Sequence, residues 1–165
     1  MEAELLYQRG IPPKATYTFQ HALIQETAYL SLLKGTRQQY HQRIAGKLVG
    51  EFAETVATKP ELVAHHYTEA GLGEQAVPFW KQAGQRALER SANEEAIAHL
   101  TRGLDLIKEL PGSSERDQQE LALQMALGSA LIVSRGYAVA EVEQTYSKAL
   151  ELCQQIGDTP EVVPV

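Results

Sequence analysis

From Phe19 onward, apolar residues recur at helical spacing almost to the end of the chain, and only short breaks separate the stretches. A helix needs such a stripe every three to four residues, whereas a strand needs alternation, so most of the chain is committed to helix. HALIQETAYLSLL places Leu23, Ala28 and Leu32 on one broad stripe and ends at Lys34-Gly35. Thr36 then opens TRQQYHQRIAGKLVGEF, where Thr36-x-x-Gln39 reads as a capping box in which each side chain satisfies an orphan N–H. Tyr40, Ile44, Leu48 and Phe52 follow every fourth residue and are predicted to form its buried stripe, with ATKP closing the helix near Lys59. A third helix runs from about Pro60, a favoured first-turn position, to Gly71 at a left-handed cap. A fourth covers about Glu74 to Arg90. Pro78 within it has no N–H to donate and predicts a bend or a late start. The fifth spans Asn93, expected as its N-cap, to Leu110, with Ala96, Leu100, Gly103, Leu104 and Ile107 on one face, and Pro111-Gly112 stops it. Ser114-x-x-Asp117 reads as a capping box for a sixth helix ending near Arg135-Gly136. The seventh carries Val142, Tyr146, Ala149, Cys153 and Ile156 to Gly157, and the tail DTPEVVPV stops where another helix would begin. Seven amphipathic helices with short turns make an all-α fold.

Only the start of the chain departs from this. Ala15, Tyr17 and Phe19 alternate with Thr16 and Thr18, and Gly-Ile-Pro-Pro precedes them, so a short β-hairpin is expected. Two strands bury no core by themselves.

Of the 165 residues 44% are hydrophobic and 22% charged, the balance of a soluble globular protein. No apolar run reaches the roughly 18 residues of a membrane span, and MEAELLYQRG lacks the basic start and apolar core of a signal peptide. The single cysteine, Cys153, excludes an internal disulfide and suits a reducing cytoplasm, where the chain is expected to reside. The net charge of −6 is uneven: residues 1–58 hold six basic against five acidic residues, and 59–165 hold nine against sixteen. The later part would repel a phosphate backbone, so no nucleic-acid partner is expected. Lys34, Arg37, Arg43 and Lys47 read as a solvated helix face.

Several features invite a chemical reading and do not sustain it. In AHHYTEAGLGEQAVPFWKQAG, residues 64–84, His65 and His66 are about 100° apart on a helix and do not readily face one ion. The H-E-x-x-H spacing of zinc proteases is absent, and His21, His41 and His99 have no ligand at metal spacing, so packing or surface roles are expected for all five. GLGE lacks the phosphate-loop pattern, leaving Gly71 and Gly73 as helix punctuation. Cys153 lies on an apolar stripe and is expected to be a buried, inert thiol. Glu94-Glu95 and Glu141 with Glu143 sit at helix starts, where negative charge is favoured anyway. No catalytic, cofactor-binding or metal-ligating residue is assigned, and no cofactor.

The spacing of small and large residues is more specific. Ala64 and Tyr67 precede Ala76, Trp80 and Ala83. Then come Trp80, Gly84 and Ala87 with Ala96, Leu100 and Gly103, and later Leu127-Gly128-x-x-Leu131 with Val142, Tyr146 and Ala149. These sets resemble degenerate tetratricopeptide repeats, in which small residues let two helices cross closely. The fourth helix fits both signatures of the repeat, so the frame is ambiguous over 74–90. The resemblance implies antiparallel helix pairs wound into a right-handed superhelix.

YTFQHALIQETAYLSLL, RQQYHQRIAGKL and PELVAHHYTEAGLGEQAVPFWKQAGQRAL are together similar to the region behind the ATPase core of bacterial STAND-class signalling proteins, many of which begin with a class III nucleotide cyclase domain. ANEEAIAHLTRGLDLI and LALQMALGSALIVSRGYAVAEVEQTYSKALELC resemble the repeats of the same proteins. The resemblance implies that residues 1–58 end a winged-helix-like module with the hairpin as its wing, and that 59–165 begin a repeat array. It further implies a segment of a longer protein, a non-enzymatic regulatory module whose partners are a protein, a peptide or other domains of the same polypeptide. Neither nucleotide-binding loop nor cyclase carboxylates occur in the chain. A sensor fragment of a MalT-like transcription activator and a stand-alone helical enzyme are the alternatives. Weak self-association through the Tyr146, Ala149 and Cys153 side of the last helix is expected, because repeat arrays need a polar cap.

Overall fold

The computed structural model describes residues 6–11 and 15–157. Two short strands, β1 (Leu6–Arg9) and β2 (Thr16–Phe19), pair antiparallel with Leu6 opposite Phe19 and Arg9 opposite Thr16, so the expected hairpin is present. Of the Gly-Ile-Pro-Pro stretch expected to turn, Pro12 and Pro13 lie outside the described residues. Among the described residues eight helices follow: α1 (Ala22–Ser31), α2 (Lys34–Glu51), α3 (Ala53–Thr58), α4 (Pro60–Glu69), α5 (Gly73–Glu89), α6 (Asn93–Glu109), α7 (Ser114–Arg135) and α8 (Ala140–Gly157). The chain is therefore mostly helical, with one helix more than the periodicity predicts. The extra one arises because the backbone breaks at Phe52 (φ −129°, ψ 50°), which separates α3 from α2 instead of letting one helix run to Lys59.

From α4 on, each helix packs on the next in sequence, and α2 packs on α4. The turns after α4 and α5 are built alike. After α4, Gly71 at φ +75° lets its N–H reach the Thr68 carbonyl and the Leu72 N–H reach that of Tyr67. After α5, Ser91 at φ +59° repeats the same two bonds to Leu88 and Ala87. Each double bond closes carbonyls that the helix end would leave open.

Helix starts depart from the sequence reading. α2 begins at Lys34 on an extended Leu33 with no side-chain cap, so Thr36 and Gln39 lie inside the helix and form no capping box. Asn93 is the first helical residue rather than the cap of α6, a place held by Ala92. For α7 the cap is Ser113, one residue earlier than read, whose Oγ accepts from the Arg116 N–H at 3.1 Å. α5 is unbroken from Gly73 through Pro78, so the late start does not occur. Pro78 and Glu74, four residues before it, are both exposed there.

The core follows the small-against-large spacing. Leu100 of α6 fills the space at Gly84 of α5, where an added Cβ would lie 2.5 Å from its Cγ. At Gly103 a Cβ would meet Leu123 of α7 at 3.1 Å, and at Gly128 it would meet the Tyr146 ring of α8 at 2.7 Å. Trp80 is buried among Ala64, Ala76 and Ala83, and its Nε1–H donates to Thr68 Oγ1 at 3.0 Å. Ala96, Leu100, Gly103, Leu104 and Ile107 are all buried, the face read from sequence.

Candidate functional site

The N-terminal end differs from this core. α1 contains no buried residue among its ten, although Leu23, Ala28 and Leu30 are apolar; Leu23 is 76% exposed. The stripe predicted to be buried on α2 is open as well: Tyr40 is 48% exposed, Ile44 43% and Phe52 52%, with Leu48 half-buried. What α2 buries instead is His41 and Ala45, the residues one step further round, which face α4. The open stripe lines two adjoining troughs that share Tyr40 and Ile44. One, of about 680 Å³, lies beside Arg43, Gly46, Lys47 and Gly50. The other, of about 860 Å³, is bounded by α1, α2 and α4. Of the basic residues read as a solvated face, Lys47 pairs with Glu51, Arg37 lies 5.1 Å above the Tyr29 ring, and Arg43 stands beside the stripe.

The floor of the larger trough holds a histidine cluster. His41 Nδ1 and His66 Nδ1 are 2.8 Å apart, and the Tyr29 hydroxyl is 3.0 Å from His41 Nε2. The His65 ring lies 5.8 Å from that of His41 and 5.5 Å from that of His66. Burial disfavours the charged imidazole, and the neighbouring His41 and His65 add to this, so the His66 pKa falls to about 4 although Glu69 pulls the other way. His41 is held below its usual value first by burial and then by His65 and Arg37, again against Glu69. The rings do not converge on a point: among the described residues, no three His, Cys, Asp or Glu side chains are placed to hold a metal ion. His21 caps the start of α1 without a side-chain bond, and His99 packs on Trp80 at 5.4 Å, so neither joins the cluster. Sequence spacing missed it because His41 and His66 lie 25 residues apart on different helices.

Three of the four carboxylates flagged at helix starts, Glu94, Glu95 and Glu141, are held in surface ion pairs. Glu141 accepts from Arg135 Nη1 at 2.7 Å, Glu94 lies 3.7 Å from the same guanidinium and also accepts from the Ser134 hydroxyl, and Glu95 pairs with Arg90. Cys153 is exposed, not buried as expected: Val142, Thr145, Ala149 and Leu152 form the buried face of α8, which turns Cys153 outward. Tyr146 packs over Gly128, so the side thought to be uncovered is largely engaged by α7. Among the described residues, no helix is long and apolar enough to cross a membrane.

An uncharacterized protein of Rhizobium meliloti (strain 1021) is 31% identical to the chain over 154 residues, which make up 93% of this chain and 15% of that protein. The chain thus spans only a small part of the length of the relative it matches. No protein-family model matches it, and no solved structure does.

Proposed function

We propose that this chain is a non-enzymatic interaction and regulatory module, a stretch of tetratricopeptide-like repeats behind the ATPase core of a larger signalling protein. The observation that carries this reading is the repeated small-against-large contact, Gly84 with Leu100 and Gly128 with Tyr146, in successive helix pairs. A repeat built this way spends its side chains on stacking and leaves a long surface for partners, which is how helical arrays recognise peptides and proteins. In this reading the pairs wind into a right-handed superhelix from about residue 59. Residues 1–58 are the end of a winged-helix-like module, and the open Tyr40, Ile44 and Phe52 stripe receives another part of the same polypeptide. The similarity to a small portion of a much longer protein supports the same view.

An immunoblot of the source cells with an antibody against this segment tests it. The expected band is several times larger than 18.2 kDa, with P-loop or cyclase motifs in the coding sequence upstream. DNA-binding motifs alone in the flanking sequence would favour the transcription activator, and a band at 18.2 kDa would contradict the reading.

A further inference from the structure

Only His41 and Ala45 of α2 are buried, and the His41–His66 hydrogen bond joins α2 to α4. We propose that this contact is a proton-operated joint, closed while the His41–His66 pair carries at most one extra proton and open once both rings are charged. This inference stands apart from the proposed function above.

Counting hydrogens gives the mechanism. With both rings neutral, one N–H lies between the two Nδ1 atoms, and either ring can supply it. If His41 supplies it, the Tyr29 hydroxyl donates to His41 Nε2; if His66 supplies it, His41 Nε2–H donates to the Tyr29 oxygen. One added proton is tolerated, because a charged His41 can donate to His66 Nδ1 and to the Tyr29 oxygen at once. A second sets N–H against N–H at 2.8 Å between two cations, and the bond cannot survive. The groups facing the pair are Tyr29 from α1, Arg37 from α2, and His65 and Glu69 from α4. Arg37 opposes added charge. Glu69 is the one carboxylate favouring it, and it is exposed, so water screens its field.

The sign follows from linkage. In the open joint the rings return to the ordinary histidine range near 6.5, whereas in the closed joint His66 resists protonation down to about 4. The open form therefore binds more protons in this window, and closure weakens steadily as pH falls from about 6.5 toward 4. α5 to α8 have no part in the pair, so their packing is not expected to follow.

Hydrogen exchange of the 165-residue chain at pH 7.4 and pH 5.0, corrected for intrinsic rates, tests the joint. Amides of residues 37–51 are expected to exchange about tenfold faster at the lower pH, while those of 100–131 stay unchanged. An equal change in both regions, or none in residues 37–51, would overturn the proposal. His66→Gln keeps a hydrogen-bonding group that does not titrate and should flatten the pH dependence, whereas His65→Gln should keep most of it, since His65 makes neither ring bond and only adds to the charge that opposes protonation. Should His66→Gln fail to fold, an NMR titration of the unaltered chain decides. Ring midpoints for His41 and His66 clearly below 6.5 support the joint, and midpoints at 6.5 overturn it.

Discussion

Gly84 and Gly46 both lie within helices, yet their surroundings are opposite. A methyl group at Gly84 would press on the fully buried Leu100, which has nowhere to move, while at Gly46 it would meet nothing within 4 Å. Gly84→Ala should therefore cost about 1–3 kcal/mol through overpacking. Gly46→Ala should gain about 0.5–1 kcal/mol, because alanine gives up less backbone freedom in a helix than glycine. Urea denaturation of the two variants checks both signs, and equal effects would mean that the close approach of α5 and α6 is not what fixes Gly84. The members of this contact were legible in the sequence as small and large residues at fixed steps on successive helices, but not which of them meet. The His41–His66 pair was not, because no local spacing reports a meeting between helices 25 residues apart. Capping was half-legible. Candidate cap residues can be read off, but the cap is whichever residue takes the extended backbone, and at α2 that is Leu33.

Among the elements, periodicity and burial disagree most in α1 and α2. Tyr40, Ile44, Leu48 and Phe52 have the spacing of a core stripe, but the core of this chain lies on the other side of α2, at His41 and Ala45. A ten-residue helix such as α1, with no buried side chain, has little to hold it in water, since isolated helices of that length are marginal. Period reveals which residues form a stripe but not what covers it. Ile44→Asp should accordingly change the stability of the isolated chain by no more than about 0.5 kcal/mol. Leu100→Ala, in the packed part, should cost about 2–5 kcal/mol. A loss at Ile44 comparable to that at Leu100 would mean that the stripe is already covered. α8 also exposes an apolar side chain, Leu150 at 61%, beside the outward Cys153. If the chain self-associates through this helix, sedimentation velocity will find a weak dimer that Leu150→Glu abolishes. A strictly monomeric chain at high concentration, with strong amide protection in α8, would contradict that.

Across the whole molecule two regimes meet at the α2–α4 contact: a packed succession of helix pairs from α4 onward and a sparsely buried N-terminal unit before it. The helical class and the hairpin follow from residue spacing, whereas the repeat frame over 74–90 stays ambiguous from spacing alone. The partner of the open stripe does not follow from spacing either, since it is no part of the core these residues make. In the proposed function this stripe is an interface with the rest of a longer polypeptide. A photo-crosslinking amino acid placed at Ile44 in the native cells, compared with one at the exposed Gln85, tests that most directly. The expected result is a crosslink from position 44, and not from 85, to a segment of the same polypeptide outside residues 1–165. No crosslink at 44 beyond the level at 85 would contradict the claim.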